Sequence, residues 1–168
     1  MRQGPVSAFP GRITFELDPD LRMVSPVLRL GFETWNEARG DRAMPARRDL
    51  DPLRMPRTLL PHILLIDLEA GPPQRFRWRL IGTHVTQIVG RDATGQYWDE
   101  IYEPRVLRTL SSGPRWAMEN RQPVRSLGTA PIDDRSYLKS ENLDLPLSSD
   151  GKTVDMIMVV TDFNQHNA

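Results

Sequence analysis

Two strand-length apolar runs, parted by a four-residue proline turn, restrict this chain to folds built on an antiparallel hairpin. Residues 62–69 read HILLIDLE, Ala70-Gly71-Pro72-Pro73 interrupts, and residues 75–81 read RFRWRLI. Ile63–Leu68 is apolar at every position but Asp67, the pattern of a central strand covered on both faces. In the second run Phe76, Trp78 and Leu80 alternate with Arg75, Arg77 and Arg79. One face therefore enters the core, and the other presents three arginines to solvent or to acidic groups on a covering element. So short a break favours pairing of the two runs as a hairpin.

Gly82-Thr83 leaves this hairpin into a short predicted helix, with Thr83 as its cap, Val85, Ile88 and Val89 on its apolar side, and Gly90 at its end. A polar turn, Arg91–Gly95, leads to Tyr97-Trp98 and a short helix near Asp99–Tyr102. Pro104 starts another, with Val106, Leu107 and Leu110 on one face. Gly113-Pro114 breaks it, and a last short helix through Trp116, Ala117 and Met118 ends before Gln122-Pro123. Strands follow at Val124–Thr129, Ser136–Leu145 and Thr153–Phe163. They are separated by turns at Pro131-Ile132-Asp133-Asp134 and Ser148-Ser149-Asp150-Gly151.

Upstream, residues 1–24 carry Pro5, Pro10, Gly11 and Pro19 and read as a loosely ordered lead, with room for a short strand at Ile13–Leu17. Residues 25–61 form a cap and connector. Ser25 suits an N-cap, Pro26 the first helical position and Gly40 the position past the end. Leu28, Phe32 and Trp35 share an apolar stripe that must cover either the chain's own sheet or the same helix of a partner. In residues 39–61, Asp49 or Asp51 is placed to cap a short helix running to Leu60. The arginines there alternate with Asp41, Asp49 and Asp51, which indicates a salt-bridged connector rather than a phosphate site. Residues 62–164 form the core domain, and no internal repeat occurs.

The composition closes several routes. Twenty-two basic and 22 acidic residues cancel, so no net field draws the chain to nucleic acid or an acidic membrane. All but Lys139 and Lys152 of the basic residues are arginine, a bias that base composition explains as well as phosphate binding. No cysteine is present, which excludes disulfides, thiolate nucleophiles and cysteine-ligated metals. No apolar run is long enough for a signal peptide or a membrane span, so a cytoplasmic protein is expected.

The order of elements resembles the PAS domain: a capping helix, two strands, several short helices, then three strands in hairpin succession. RLIGTHVTQIVGRDATGQYWDEI is similar to the PAS segment that follows the second strand. Trp35, Arg39-Gly40-Asp41-Arg42, Pro45 and Leu60-Pro61 resemble the N-terminal signature of short bacterial single-domain PAS proteins, and LDLPLSSDGKTVDMIM their last hairpin. The likeness spans residues 26–163. It implies an α+β fold with a five-stranded antiparallel sheet, short helices on one face enclosing a small pocket, and an N-terminal capping helix that often takes part in dimers. It further implies a non-enzymatic sensory module, homodimeric through Leu28, Phe32 and Trp35 if they do not cover the chain's own sheet. Such a module passes its signal to a separate protein.

Within that resemblance, the flavin adducts and thioester chromophores of some PAS domains require a cysteine this chain lacks. A haem would require a histidine on the Pro104–Arg121 segment, where Met118 is the only donor. No cofactor is expected. His62, at the start of a strand, and His84, at the start of a helix, read as surface or hydrogen-bonded residues, so no metal site is expected either. No G-x-S-x-G, G-x-x-x-x-G-K-[ST] or G-x-G-x-x-G motif occurs. An isomerase or dehydratase on a cone-shaped α+β fold would need an Asp–His pair facing one cavity, and no spacing indicates one. Candidates to line a ligand pocket are Trp78, Leu80, Val85, Ile88, Trp98, Val106, Leu107, Leu110, Met156 and Met158, with Arg79 or His84 to meet an acidic ligand. The alternative is that the apolar residues fill a packed core, leaving a structural or adaptor protein without a ligand.

Overall fold

The computed structural model describes residues 13–131 and 137–163. Of the expected turn at Pro131-Ile132-Asp133-Asp134, Pro131 ends a strand and the other three lie outside these residues, as does the polar tail. Six strands form one antiparallel sheet: β1 (Thr14–Asp18), β2 (Ile63–Glu69), β3 (Arg75–Ile81), β4 (Val124–Pro131), β5 (Tyr137–Leu147) and β6 (Met156–Phe163). Their order across the sheet is β1-β4-β5-β6-β2-β3. The apolar strands β2 and β6 lie side by side in the interior of the sheet, Ile63 opposite Val160. The expected count of five is corrected to six: β1, within the stretch read as a lead, pairs along β4 from Thr14↔Thr129 to Asp18↔Arg125.

Helix α1 (Pro26–Arg39) lies across the outer face of the sheet. Leu28 and Trp35 are buried there, and Gly31 approaches β6 so closely that a Cβ on it would stand 2.6 Å from Val160 Cγ2. The stripe therefore covers the chain's own sheet. Phe32, half-buried, stacks on Trp35 with ring centroids 6.3 Å apart. Ser25 does not cap this helix with its side chain, as the sequence led us to expect. A carboxylate from the sheet does so instead: Glu141 on β5 accepts the Ser25 N–H at 2.7 Å and the Val24 N–H at 3.1 Å. Buried Arg125 holds that carboxylate at 2.9 Å and Asp18 at 3.0 Å.

The connector packs as well. Met44, Leu50 and Leu59 are buried beside α1. In place of the expected helix up to Leu60, two short 3-10 turns stand at Arg47–Asp49 and Leu60–His62, because the prolines at 52, 56 and 61 remove the amides that a longer helix needs. Asp49 bonds Arg42 at 2.8 Å, so the segment is salt-bridged.

On the inner face lie α2 (Thr83–Val89), α3 (Trp98–Ile101), α4 (Pro104–Leu110) and α5 (Ser112–Asn120). Gly82, not Thr83, is the N-cap of α2, and Gly90 ends it at φ +76°. The break between α4 and α5 falls at Ser111; Gly113 and Pro114 lie in the first turn of α5, where a missing amide is tolerated. Trp98 stacks on Phe76 at 5.2 Å, meets the tilted ring of Trp78 at 4.7 Å and anchors this layer. Among the described residues no helix is long and apolar enough to cross a membrane.

A β-bulge sets the hairpin apart from the simple alternation. Leu65 faces Leu80 but Ile66 faces Trp78, so the register slips at Arg79. Trp78 points inward with Phe76, whereas Leu80 moves to the outer face and is 42% exposed. The inward placement expected for Leu80 is thereby corrected. Of the three arginines, Arg75 binds Asp99 at 2.8 Å and Arg77 binds Asp67 at 2.7 Å, while Arg79 stays largely in solvent, 4.0 Å from Asp67.

Candidate functional site

Between the inner face of the sheet and the short helices lies a cavity of about 180 Å³. Its walls divide by chemistry. Leu64, Ile66, Trp78 and Val159 make an apolar half of the sheet face, and Val85, Val89, Trp98, Ile101 and Leu110 make an apolar roof. The other half of the sheet face is polar: Ser126 on β4, Ser140, Asn142 and Asp144 on β5, and Thr161 on β6. These side chains share a face because Ser126 pairs with Asn142, Asn142 with Thr161, and Asp144 with Val159. Part of the strip is already linked. Thr161 Oγ1 donates to Asn142 Oδ1 at 3.0 Å, and Asn142 Nδ2 donates to Ser140 Oγ at 3.0 Å.

Two groups in this cavity are not satisfied in that way. Trp98 is buried and its indole N–H finds no acceptor among the described residues. Asp144 is 4% exposed, and burial alone pushes its carboxyl up to about 7. Gly113 sits directly over it: a Cβ there would stand 2.4 Å from Asp144 Oδ2. The site thus has a tryptophan with an unpartnered buried N–H among its apolar lining and a carboxyl raised toward neutrality at its polar end. A small, flat molecule with an apolar body and a polar edge meets both.

The fold brings together some of the residues singled out in the sequence and disperses others. Trp78, Val85, Trp98 and Leu110 line the cavity. Leu80 and Met158 line a second, outer cavity of about 340 Å³ against Met55 and Leu60. Ile88, Val106, Leu107 and Met156 line neither, and Arg79 faces solvent. His84 stands at the end of the sheet, its ring 4.1 Å from that of His62 and its Nε2 3.8 Å from Asp162, outside the cavity. The polar strip was missed. Its signal was the alternation of Asn142 and Asp144 with Leu143 and Leu145, which reads as a solvent face until α1 is seen to cover the leucines.

A family model described as a PAS domain matches residues 23–160. Searches of curated proteins and of solved structures returned no match.

Proposed function

The chain belongs to the PAS domain family, and from that premise we propose that it is a non-enzymatic sensory module that takes a small ligand into the cavity beneath Trp98. One observation supports this reading above the rest. A partly polar space, lined by a tryptophan whose buried indole N–H has no acceptor among the described residues, stands where a filled core would have none. Cavities of about 150 Å³ admit benzene-sized molecules, so the space suits one small planar ligand rather than an extended cofactor. The same space weighs against the alternative of an adaptor with a packed interior.

Output passes to a separate protein in this reading. A homodimer is kept in the proposal with one change: Leu28 and Trp35 are covered by the chain's own sheet, so the contact falls on the polar side of α1, at Arg29, Glu33 and Glu37. Sedimentation equilibrium reads that contact, and a monomer at high concentration overturns it.

Native mass spectrometry of the purified chain, followed by a panel of small aromatic and heteroaromatic metabolites monitored by tryptophan fluorescence, tests the ligand. The expected result is a one-to-one adduct that Asp144→Leu and Val159→Phe both abolish. No adduct, and no fluorescence change across the panel, would leave a protein-interaction module in its place.

A further inference from the structure

His62, His84 and Asp162 come from three elements, the turn before β2, the start of α2 and the end of β6, and their ligand atoms all lie within 4.8 Å of one another. We propose that these three side chains bind one divalent late transition metal ion, of the zinc, cobalt or nickel class. Nothing in the sequence announces it, because the residues are distant along the chain and follow no ligand spacing.

The donor atoms are prepared for this. His62 Nδ1 lies 2.9 Å from the Thr161 carbonyl, which can only accept, so Nδ1 carries the proton and Nε2 is left with its lone pair. Asp162 Oδ2 accepts from Ser25 Oγ at 2.7 Å, which orients the carboxylate and turns Oδ1 toward His84. His84 Nε2 stands 3.8 Å from that oxygen, too far for a hydrogen bond.

Imidazole and carboxylate donors at about 2.1 Å from a tetrahedral ion stand roughly 3.4 Å apart, so donors that lie within 4.8 Å of one another need to close by at most about 1.4 Å. His84 also accepts a long bond, 3.3 Å, from the Phe163 N–H, and the ion replaces it. The side chains of His84 and Asp162 are 24% and 22% exposed, which leaves water access to a fourth position. Two imidazoles and one carboxylate favour zinc-like ions over magnesium or calcium, which prefer oxygen. His84 shares α2 with Val85 and Val89, so an ion here pulls on one wall of the cavity.

The full chain, stripped with EDTA, is titrated with Zn²⁺ by calorimetry and with Co²⁺ by visible absorption. One ion per chain is expected. His62→Gln and His84→Gln should each weaken binding by roughly a hundredfold or more and Ser25→Ala by roughly tenfold, as for a residue that orients a ligand. Circular dichroism confirms that the variants fold. A readout on the unmodified chain is the broadening by Co²⁺ of the Asp162 and Phe163 amide signals, with Gly151 unaffected. Absence of a stoichiometric ion, broadening centred elsewhere, or folded histidine variants that bind normally would each overturn the assignment.

Discussion

Trp35 Nε1 donates to the carbonyl of Pro146 at 2.9 Å, which fixes α1 to β5 at the one residue of that strand with no amide hydrogen of its own. Ring burial and hydrogen bond act at the same place and are separable. Trp35→Phe keeps most of the area and should lower stability by about 1–2 kcal/mol through the lost bond. Trp35→Ala removes both and should lower it by about 3–5 kcal/mol. Urea unfolding of the two variants checks the ratio; equal losses would show that packing of the ring contributes nothing beyond its bond.

Asp144 gives stability an unusual pH dependence. Its carboxyl ordinarily titrates near 3.8 and is raised to about 7 in the fold. Between those values the folded chain holds a proton that the unfolded chain has lost, so stability falls as pH rises through the window and stays low above it. At about 1.36 kcal/mol per pKa unit the full effect is on the order of 4 kcal/mol. Asp144→Asn should flatten the fall, leaving the variant more stable than the wild type at pH 8 and little changed at pH 4. Unfolding free energies at pH 4, 6 and 8 check it. The carboxylates held low by hydrogen bonds, Asp150 at about 2 among them, lose their contribution only below this window.

Gly82 is required for closeness, not for an unusual backbone. It lies at φ −66°, and its N–H donates to the Ile63 carbonyl at 2.8 Å. A Cβ there would stand 2.3 Å from the Pro61 carbonyl oxygen, which is backbone and cannot swing away. Gly82→Ala should therefore lower stability by about 2–3 kcal/mol and shift the start of α2, with chemical-shift changes at Val85 and His84. A neutral substitution would mean that the strand-to-helix junction is looser than its contacts.

Arg125 and Arg22 both touch Asp18, one from a buried position and one from solvent. Removing the buried one leaves Glu141, which also caps α1, without its cation and leaves Asp18 with Arg22 alone. Arg125→Gln should lower the melting temperature far more than Arg22→Gln, and it should raise amide exchange at Val24 and Ser25. Comparable losses from the two variants would overturn the assignment of Arg125 as the residue that holds the cap in place.

The hairpin at 63–81, the glycine ends of α1 and α2 and the order of the later strands were legible in the sequence because each rests on local chemistry: apolar period, proline positions, left-handed glycines. What was not legible is relational. The side to which Leu80 turns depends on a register slip against Leu65 and Ile66, and no residue type in β3 announces it. Asn142 and Asp144 went unassigned because alternation tells two faces apart without saying which is covered, and here both are. The meeting of His62, His84 and Asp162 follows only from β2 and β6 becoming neighbours. Local pattern gave the elements; long-range pairing gave the site.

The slip in the hairpin has a mechanical result. By turning Leu80 outward it leaves Ile81 on the border of both hollows, since that side chain lines the inner space and the outer one alike. A single aliphatic group thus serves as the partition between two compartments on opposite sides of the sheet. A guest that displaces it from within must change the volume beyond it, where the connector from α1 is seated.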